Sequence, residues 1–358
     1  MSEKERVVVA MSGGVDSSVA AALLLQEGYQ VIGMMMRLWS ESGNEEQNRC
    51  CTPDAMAQAR RVAAVLGIPF YIIDAKQVFY NTVVTNFLED YSRGLTPNPC
   101  LVCNRQIRWE FLLRYALDLG ARYLATGHYV RIGKDAQEGY QLLRAVDLTK
   151  DQSYVLHVLN QEKLAHARFP IGNYPKSEIR KLAVEFGLPV AQRPDSQDLC
   201  FLGDEDYRAF LQRNRPESVK PGAITNRSGE MLGEHQGLAF YTIGQRKGLG
   251  IKSALPLYVI EKDLKRNVLV VGEQAELGKR ELNAHQVNWI SGIVPGEPFR
   301  AEVKIRYKAD PAWGWITPGA DRQLHILFDN PLRDITPGQA AVVYQGDLCL
   351  GGGIIKID

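Results

Sequence analysis

The sequence predicts an α/β protein in which a parallel sheet with helices on both faces is followed by a central segment and a C-terminal antiparallel barrel or sandwich. Two observations predict this class. Apolar, β-branched runs alternate with helical segments through the first half of the chain, as in parallel sheets. From Leu277 onward, apolar and polar residues alternate with period two, which indicates half-buried antiparallel strands. Changes in composition place the domains at residues 1–202, 203–276 and 277–358.

The N-terminal elements follow one another in a regular order. The first strand, RVVVAM, is a β-branched run that stops at a Ser-Gly-Gly turn. Each helical segment is closed by a glycine, a common residue just after a helix C-terminus. The predicted strands are 6–11, 29–36, 69–73 and 123–129, and the predicted helices are 16–26, 54–66, 110–119 and 177–186.

The remaining segments differ in texture. The central one combines a short polar helix, 206–213, with connections rich in glycine and proline. The last one contains RAEVKIRY at 300–307, whose alternate residues are apolar and whose intervening residues are mostly charged. QLHILF, AAVVYQ and DLCLGGGIIKI alternate in the same way, with turns at DNP and TPGQ. This pattern is typical of a small antiparallel β domain.

Composition limits the classes of function. The formal net charge is +1, so a polyanion partner would need local basic patches rather than a basic protein. No apolar run approaches the roughly 18–20 residues of a membrane span, and the N-terminus lacks the pattern of a signal peptide. Six cysteines in 358 residues are too few for a disulfide scaffold. We therefore expect a cytoplasmic protein with reduced thiols and no membrane partner.

The strongest motif is SGGVDS, residues Ser12 to Ser17, between a predicted strand and a predicted helix. Two glycines let the backbone approach an anion closely, and the helix start offers N–H groups and the positive end of its dipole. The motif is neither a Walker A loop nor a dinucleotide fingerprint. Although a tight turn with a capping serine is the simpler explanation, the combination favours phosphate binding.

Three cysteines stand out by their context. Cys100 and Cys103 form a C-x-x-C in TPNPCLVCN, where the start of a helix can favour a thiolate, and Cys200 ends the polar run DSQDLC. Structural zinc would need about four ligands, and the chain has no second such pair. A redox pair within the C-x-x-C is an alternative. We favour a nucleophile that works with the distant Cys200.

These motifs carry a resemblance to a known family. SGGVDSS resembles the pyrophosphate loop of N-type ATP pyrophosphatases, and the whole chain resembles the bacterial tRNA-specific 2-thiouridylases. The matching segments, in the same order as in that family, are AMSGGVDSSVAA, RCCTPDAMAQAR, GLTPNPCLVCN, ATGHYVR, KDQSYVL, FPIGNYPKSEIR, DSQDLCF, YTIGQRKGLG, IRYKA and ITPGQAAVVY.

The resemblance implies a fold, an activity and partners. The fold is an adenine nucleotide alpha-hydrolase-like catalytic domain, a small central tRNA-binding domain and a C-terminal β-barrel. The implied activity is that of a tRNA-uridine 2-sulfurtransferase acting on the wobble uridine, U34, of tRNAs for Lys, Glu and Gln. ATP with Mg²⁺ adenylates the C2 carbonyl oxygen, and a cysteine persulfide delivers sulfur. The implied partners are tRNA and a persulfide sulfur-donor protein.

Site residues follow from the resemblance motif by motif. Cys200 carries the persulfide, and Cys103 is its catalytic partner, which releases the sulfur or forms a disulfide with Cys200 after transfer. The implied ATP-binding residues are Ala10, Met11, Ser12, Gly13, Gly14, Val15, Asp16, Ser17, Met36 and Gly127. Asn98, Pro99 and Cys100 meet the flipped target base. The implied tRNA contacts are His128, Lys150, Asp151, Gln152, Arg306, Tyr307 and Gln339. Local basic clusters, which include Arg108 and Lys176, are further candidate phosphate contacts, although for each cluster alone a solvated charged face is the better explanation.

The sequence departs from the family at one position. Many members have aspartate where this chain has Cys100, so D-x-x-C becomes C-x-x-C. This leaves an alternative in which Cys100, Cys103 and Cys200 hold a [4Fe–4S] cluster that carries sulfide, since such clusters take thiolate ligands. A pyrophosphatase-type amide ligase acting on a small carbonyl substrate is a second alternative, and an RNA-binding module with a decayed phosphate loop is a third.

Overall fold

The computed structural model describes residues 4–41, 52–136, 139–194, 199–203 and 206–357, and within these ranges a five-stranded parallel sheet lies at the centre of the N-terminal half. The strands up to residue 168 are β1 (Arg6–Ala10), β2 (Gln30–Arg37), β3 (Phe70–Asp74), β4 (Tyr123–Thr126), β5 (Val130–Asp135), β6 (Gly139–Arg144) and β7 (Ala167–Arg168). The sheet order is β3-β2-β1-β4-β7. Val7, Val8 and Val9 of β1 are fully buried, as expected for a strand covered on both faces.

Helices cover this sheet. Their bounds are α1 (Val15–Gln26), α2 (Pro53–Leu66), α3 (Lys76–Phe79), α4 (Thr85–Ser92), α5 (Pro99–Val102), α6 (Leu113–Asp118), α7 (Ser153–Leu156), α8 (Gln161–Ala165) and α9 (Lys176–Glu185). Thr52 caps α2 by accepting a hydrogen bond from the amide of Ala55 at 3.0 Å, and Gly67 ends it in the left-handed conformation. A π-helical segment, Tyr80–Val84, joins α3 to α4, and another, Cys103–Leu112, joins α5 to α6.

The order of the strands creates the crevice where a ligand is expected. The chain runs from β1 to β2 and β3 on one side, and then returns to place β4 on the other side of β1. Ala10, the last residue of β1, pairs with Met34 of β2 and with Thr126 of β4. In open parallel sheets, ligands bind beyond the carboxyl ends of the strands at such a switch in order. The loop after β1 therefore lies at the expected binding edge.

The central segment contains a sheet that its sequence texture did not predict. Residues 206–357 are described without a gap, and their first part holds α10 (Tyr207–Asn214) and the strands β8 (Gly222–Thr225), β9 (Met231–His235), β10 (Tyr258–Asp263) and β11 (Val268–Gly272). These strands form a four-stranded sheet of order β10-β11-β8-β9. They are four to six residues long and flanked by glycine, proline and charged residues, so their periodicity is weak.

The end of the same range forms the predicted antiparallel barrel. Its strands are β12 (Lys279–Trp289), β13 (Phe299–Lys304), β14 (Ala312–Gly319), β15 (Gln323–Leu332), β16 (Ala340–Gln345) and β17 (Leu348–Ile355). They follow the order β12-β15-β14-β13-β16-β17, and pairing of β12 with β17 closes the barrel. The prediction of a parallel sheet followed by a C-terminal antiparallel β-barrel is confirmed.

The barrel sheet continues into the N-terminal half. The β5–β6 hairpin pairs with β17, where Leu142 opposes Cys349 and Leu143 opposes Leu348. An apolar core joins the two parts and includes Trp109, Tyr154 and Tyr344, all fully buried. No helix in the described part of the chain is long and apolar enough to span a membrane.

Barrel closure depends on a glycine, which gives a test of the fold. Gly351 has φ +143°, and a Cβ atom there would lie 2.1 Å from the carbonyl oxygen of Asn288 on β12. We expect Gly351→Ala to lower the free energy of unfolding by about 3 kcal/mol, because backbone atoms must move apart. Gly346→Ala is the control: its φ is +59°, with no atom within 4 Å of the added Cβ. This control should lose only about 1 kcal/mol. Urea denaturation of both variants measures the difference, and equal losses would contradict the closure argument.

Candidate nucleotide and cysteine site

The phosphate loop lies between β1 and α1, as the sequence predicts. Gly13 has φ +72°, and a Cβ atom there would lie 2.3 Å from the carbonyl oxygen of Ala55. Hydroxyl groups hold the loop from within: the amide of Ser12 donates to Ser17 Oγ at 3.2 Å, and Ser18 Oγ donates to the carbonyl of Gly14 at 2.8 Å. Helix α1 begins behind Gly14, which has no side chain to cap the first-turn amides. The loop is therefore built like an anion site at a helix N-terminus.

Asp16 in the first turn of α1 is held by two distant residues. The hydroxyl of Tyr129 donates to Asp16 Oδ1 at 2.7 Å, and Lys176 Nζ lies 2.7 Å and 2.9 Å from the two carboxylate oxygens. The Lys176 side chain is only 12% exposed. Lys176 is the first residue of α9, and its amide donates a hydrogen bond to the carboxylate of Asp147. The site therefore contains an ammonium group and a phenol that the implied ATP-binding set does not include.

The other implied ATP-binding residues surround the same edge of the sheet. Ala10 and Met11 end or follow β1, and Met36 lies near the end of β2. Gly127 follows β4 and packs directly on α1, since a Cβ atom there would lie 2.6 Å from the amide nitrogen of Ser17. The structure thus brings the implied nucleotide residues together at the switch in strand order.

His128 is buried beside this edge, with 7% of its surface exposed. Its Nε2 atom lies 3.0 Å from Arg108 Nη1, and its Nδ1 atom lies 2.7 Å from Thr126 Oγ1. A guanidinium can only donate, so Nε2 accepts and the ring proton on Nδ1 is donated to Thr126. Burial, and then the charge of Arg108, hold the pKa of His128 well below its ordinary value. His128 is therefore neutral and is engaged within the protein.

The C-x-x-C spans α5 and the start of the π-helical segment that follows it. Asn98 precedes α5, Pro99 is its first residue, Cys100 is exposed, and Cys103 is buried at the start of the π-helical segment. The loop before it is clamped by the other two parts of the chain. Thr96 donates its amide to the carbonyl of Pro337 at 2.9 Å, and its hydroxyl lies 3.3 Å from that of Thr242.

Gln339 completes this clamp from the barrel. Its Nε2 atom donates to the carbonyl oxygens of Thr96 and Pro97, at 2.9 Å and 3.3 Å. Arg306 donates from Nη2 to the carbonyl of Ile243 at 2.9 Å and also to the hydroxyl of Thr336. The central segment and the barrel therefore both determine where the cysteine loop lies.

Cys200 is half-buried and lies next to an aromatic cluster. The ring of Phe201 lies 6.0 Å from Phe79, 5.2 Å from Phe87 and 5.8 Å from Phe210, measured between centroids. Cys103 belongs to the same apolar core, against which Cys200 packs. Residues 195–198 of the DSQDLCF motif, and Cys50 and Cys51 of RCCTPDAM, lie outside the described residues.

Cys349, in contrast to Cys100, Cys103 and Cys200, is a thiol that packs within a strand. It is buried in β17, and burial raises the pKa of its thiol far above the usual range. Among the residues that the structure describes, no group of three His, Cys, Asp or Glu side chains is arranged to hold a metal ion.

Comparison with known proteins identifies the family. Three family descriptions match: a tRNA methyl transferase HUP domain over residues 5–204, a tRNA methyl transferase PRC-barrel domain over 208–273 and an aminomethyltransferase β-barrel domain over 279–355. The tRNA-specific 2-thiouridylase MnmA of Acetivibrio thermocellus is 45% identical, with 99% of each chain covered. That of Symbiobacterium thermophilum is 48% identical, with 98% of this chain and 92% of the relative covered. The chain belongs to the tRNA-specific 2-thiouridylase family.

The residues that the family resemblance implies as tRNA contacts divide into two groups by their surroundings. Lys150 is half-buried, and Tyr307 is 36% exposed. Burial, and then the charge of Asp151, raise the pKa of the Tyr307 phenol. The side chains of the other members hydrogen-bond to groups of the protein. Asp151 is buried and accepts from Ser153, while Gln152 accepts from the amide of Tyr129 at 2.9 Å.

Sequence reasoning missed Tyr129 and Lys176 as neighbours of the candidate nucleotide site. Lys176 is the second residue of the PKSEIR segment, and the sequence indicates it only as part of a basic cluster. Its distance of 160 residues from Asp16 hides the pair, because nothing in local periodicity reports contacts between distant helices. The start of a helix that follows a proline is the one signal that could have directed attention to it.

The Gln339 clamp gives a test of how the cysteine loop is positioned. We expect Gln339→Leu to speed amide hydrogen exchange across residues 95–103 by roughly five- to tenfold, since each lost hydrogen bond is worth about 1 kcal/mol. The control is Gln345→Leu, an exposed glutamine at the far end of β16. Hydrogen exchange followed by mass spectrometry measures both variants. Unchanged exchange in this loop would show that Gln339 does not hold it.

Proposed function

We propose that this chain is a tRNA-uridine 2-sulfurtransferase that uses ATP to replace the C2 oxygen of the wobble uridine, U34, of tRNAs for Lys, Glu and Gln with sulfur. The observation that carries the proposal is 45–48% identity, over nearly the whole chain, to relatives named tRNA-specific 2-thiouridylase. In this proposal residues 1–202 are the catalytic domain, residues 203–276 a tRNA-binding domain, and residues 277–358 a barrel that supports both.

The first step is adenylation of the base. Uracil C2=O has a poor leaving group, so ATP converts its oxygen into AMP and releases pyrophosphate. The loop from Ser12 to Ser17 binds the phosphates, and Ala10, Met11, Met36 and Gly127 line the adenosine side. Mg²⁺ usually binds through one or two carboxylates together with substrate phosphates, so Asp16 would hold the ion, which would supply charge neutralisation for the pyrophosphate. The ammonium group of Lys176, which pairs with Asp16, is placed to pair with an ATP phosphate when the nucleotide is bound.

The second step is sulfur transfer from a persulfide. The terminal sulfur of a Cys200 persulfide, delivered by a donor protein, attacks C2 of the adenylated base, and AMP leaves. The thiolate of Cys103 then attacks the Cys200 sulfur. The S–S bond breaks, the sulfur bound to C2 leaves with the electron pair as the 2-thiouridine, and a Cys103–Cys200 disulfide remains. A thiol reductant restores both cysteines. Cys103 is buried in the large apolar core of the protein, and Cys200 packs against that core; the pairing itself rests on the family resemblance.

Binding of the base and of tRNA uses the cysteine loop together with members of the implied set near the surface. A base within an anticodon loop must turn outward to reach such a site. Asn98, Pro99 and Cys100 receive it; Cys100 is exposed, whereas Asn98 is half-buried and Pro99 buried. Lys150 and Tyr307 are the candidates for direct RNA contact. His128, Asp151, Gln152, Arg306 and Gln339 act by holding these surfaces in place, since their hydrogen bonds are to the protein.

A direct test of the function uses mass spectrometry of tRNA. Bulk tRNA from cells that lack the gene should have no 2-thiouridine at position 34, and the wild-type gene should restore it. If the modification persists in the deletion strain, or if another nucleoside is lost instead, the proposal is wrong.

Asp16 is the residue on which the adenylation step depends. We expect Asp16→Ala to lower tRNA-dependent pyrophosphate release by at least about 100-fold, because a charged group that organises the phosphates is removed. Binding of tRNA should stay unchanged. Asp118→Ala, which removes an exposed carboxylate from α6, is the control. Normal pyrophosphate release by Asp16→Ala would refute the assigned role.

Cys200 is the proposed sulfur carrier. We expect Cys200→Ser to abolish 2-thiouridine formation while tRNA binding and some adenylation remain, because a hydroxyl cannot carry a persulfide. The control is Cys349→Ala, which removes a buried thiol from β17 and should lose stability but not sulfur transfer. Labelled sulfur from a persulfide donor measures transfer. Near-normal transfer by Cys200→Ser would exclude this residue as the carrier.

A further inference from the structure

The helix that carries Cys103 also carries an arginine that reaches the nucleotide edge of the sheet. We propose that Arg108 is a positioning residue for adenylation, which acts through His128 to hold Gly127 against the first turn of α1 and to tie the cysteine helix to that edge. The proposal deepens the function proposed above and rests on it.

The helix geometry brings Cys103 and Arg108 to the same side. Both lie in the π-helical segment Cys103–Leu112, where the hydrogen-bonding repeat joins residues five apart. Residues 103 and 108 are therefore one turn apart. Isolated π-helical turns are frequent at functional sites. A shift of this helix would move the thiol and the guanidinium together.

Two contacts of one nitrogen atom orient the Arg108 side chain. Its Nη1 atom lies 3.0 Å from His128 Nε2 and donates to Asn104 Oδ1 at 3.2 Å. Asn104 is buried, and its own Nδ2 atom donates to the carbonyl of Val155 at 3.3 Å. The two hydrogens of Nη1 have fixed directions, so these two acceptors set the plane of the guanidinium. The positive charge is thus held at one place beside the end of β4.

The histidine passes this constraint to the phosphate loop. Its ring is fixed on one side by Arg108 and on the other by Thr126, the last residue of β4. Gly127 lies between Thr126 and His128 in sequence. Its backbone packs on Asp16 and Ser17 without space for a Cβ atom. A rotation of the histidine ring would move the strand end that supports the first turn of α1. Arg108 therefore stabilises the position of Asp16 without needing to touch ATP.

A direct contact of Arg108 with tRNA phosphate is the competing role. The structure favours positioning because Arg108 is half-buried and both acceptors of Nη1 are buried side chains. A phosphate contact chiefly affects tRNA affinity and its salt dependence. A positioning role affects the rate of the chemical step instead. The two roles therefore predict different kinetic constants.

The experiment measures tRNA-dependent pyrophosphate release by the full-length protein. We expect Arg108→Met to lower kcat by about 100-fold, as for a misplacement of roughly 1 Å, with KM for ATP and Kd for tRNA within about threefold of wild type. Arg108→Lys should recover at least a third of the activity, because an ammonium can donate to both His128 and Asn104. Arg114→Met removes an exposed arginine from α6 and is the matched control, with wild-type kcat.

A second measurement tests the route through His128. The double variant Arg108→Met with His128→Leu should be no slower than either single variant, since residues that act as one unit are not additive. In ¹⁵N spectra of wild type, His128 should show a protonated Nδ1 and an unprotonated Nε2, and Arg108→Met should lose this fixed tautomer. If Arg108→Met does not fold, Arg108→Lys decides the question by its kcat and its tautomer.

Three outcomes would overturn the proposal. They are a wild-type kcat for Arg108→Met, a loss confined to Kd for tRNA, and additive losses in the double variant. Wild-type protein that forms no 2-thiouridine would instead refute the proposed function. The wild-type reaction therefore separates the two failures.

Discussion

The close approach of backbone to backbone at two glycines is the constraint on which the nucleotide site depends. Gly13 lies against the carbonyl of Ala55, and Gly127 lies against Asp16 and Ser17, in spaces that a Cβ atom would fill. These contacts seat the first turn of α1 at the end of the sheet, where Asp16 meets Tyr129 and Lys176. An anion site made from backbone amides needs such contacts, because its donors have no flexibility of their own.

A second constraint joins the cysteine loop to the rest of the protein. The carbonyls of Thr96 and Pro97 accept hydrogen bonds from Gln339 of the barrel, and the hydroxyl of Thr96 lies beside Thr242 of the central segment. The barrel therefore helps to fix the position of the cysteine loop at its border with the N-terminal half. This role comes from residues at one end of the barrel rather than from its fold.

Buried polar groups give these contacts their specificity. Asp151 accepts from Ala145 and Ser153, and the Ser153 hydroxyl also lies 3.1 Å from that of Tyr344. Burial raises the pKa of Tyr344 and lowers that of His128, so both stay neutral. Such a network costs stability when one member is missing, since the others then lose partners that water cannot replace. The network joins the N-terminal half to the barrel through Ser153 and Tyr344.

By itself, the sequence determined the fold class and the place of the SGGVDS loop between the first strand and the first helix, whereas the choice of cysteines stays a prediction. Strand and helix periods are local, and the SGGVDS turn lies in one continuous segment, so neighbouring residues predict them. The short strands β8 to β11 escaped prediction because four to six residues flanked by glycine, proline and charged residues give only a weak period. Only the tertiary structure decided that Lys176 meets Asp16, that Arg108 meets His128, that the β5–β6 hairpin joins the barrel sheet, and that Gln339 and Arg306 bond inside the protein. The hydrogen-bonded pairs of Arg108 and of Gln339 are 20 and 243 residues apart. Such contacts arise from the packing of whole helices and strands, so local sequence patterns do not predict them.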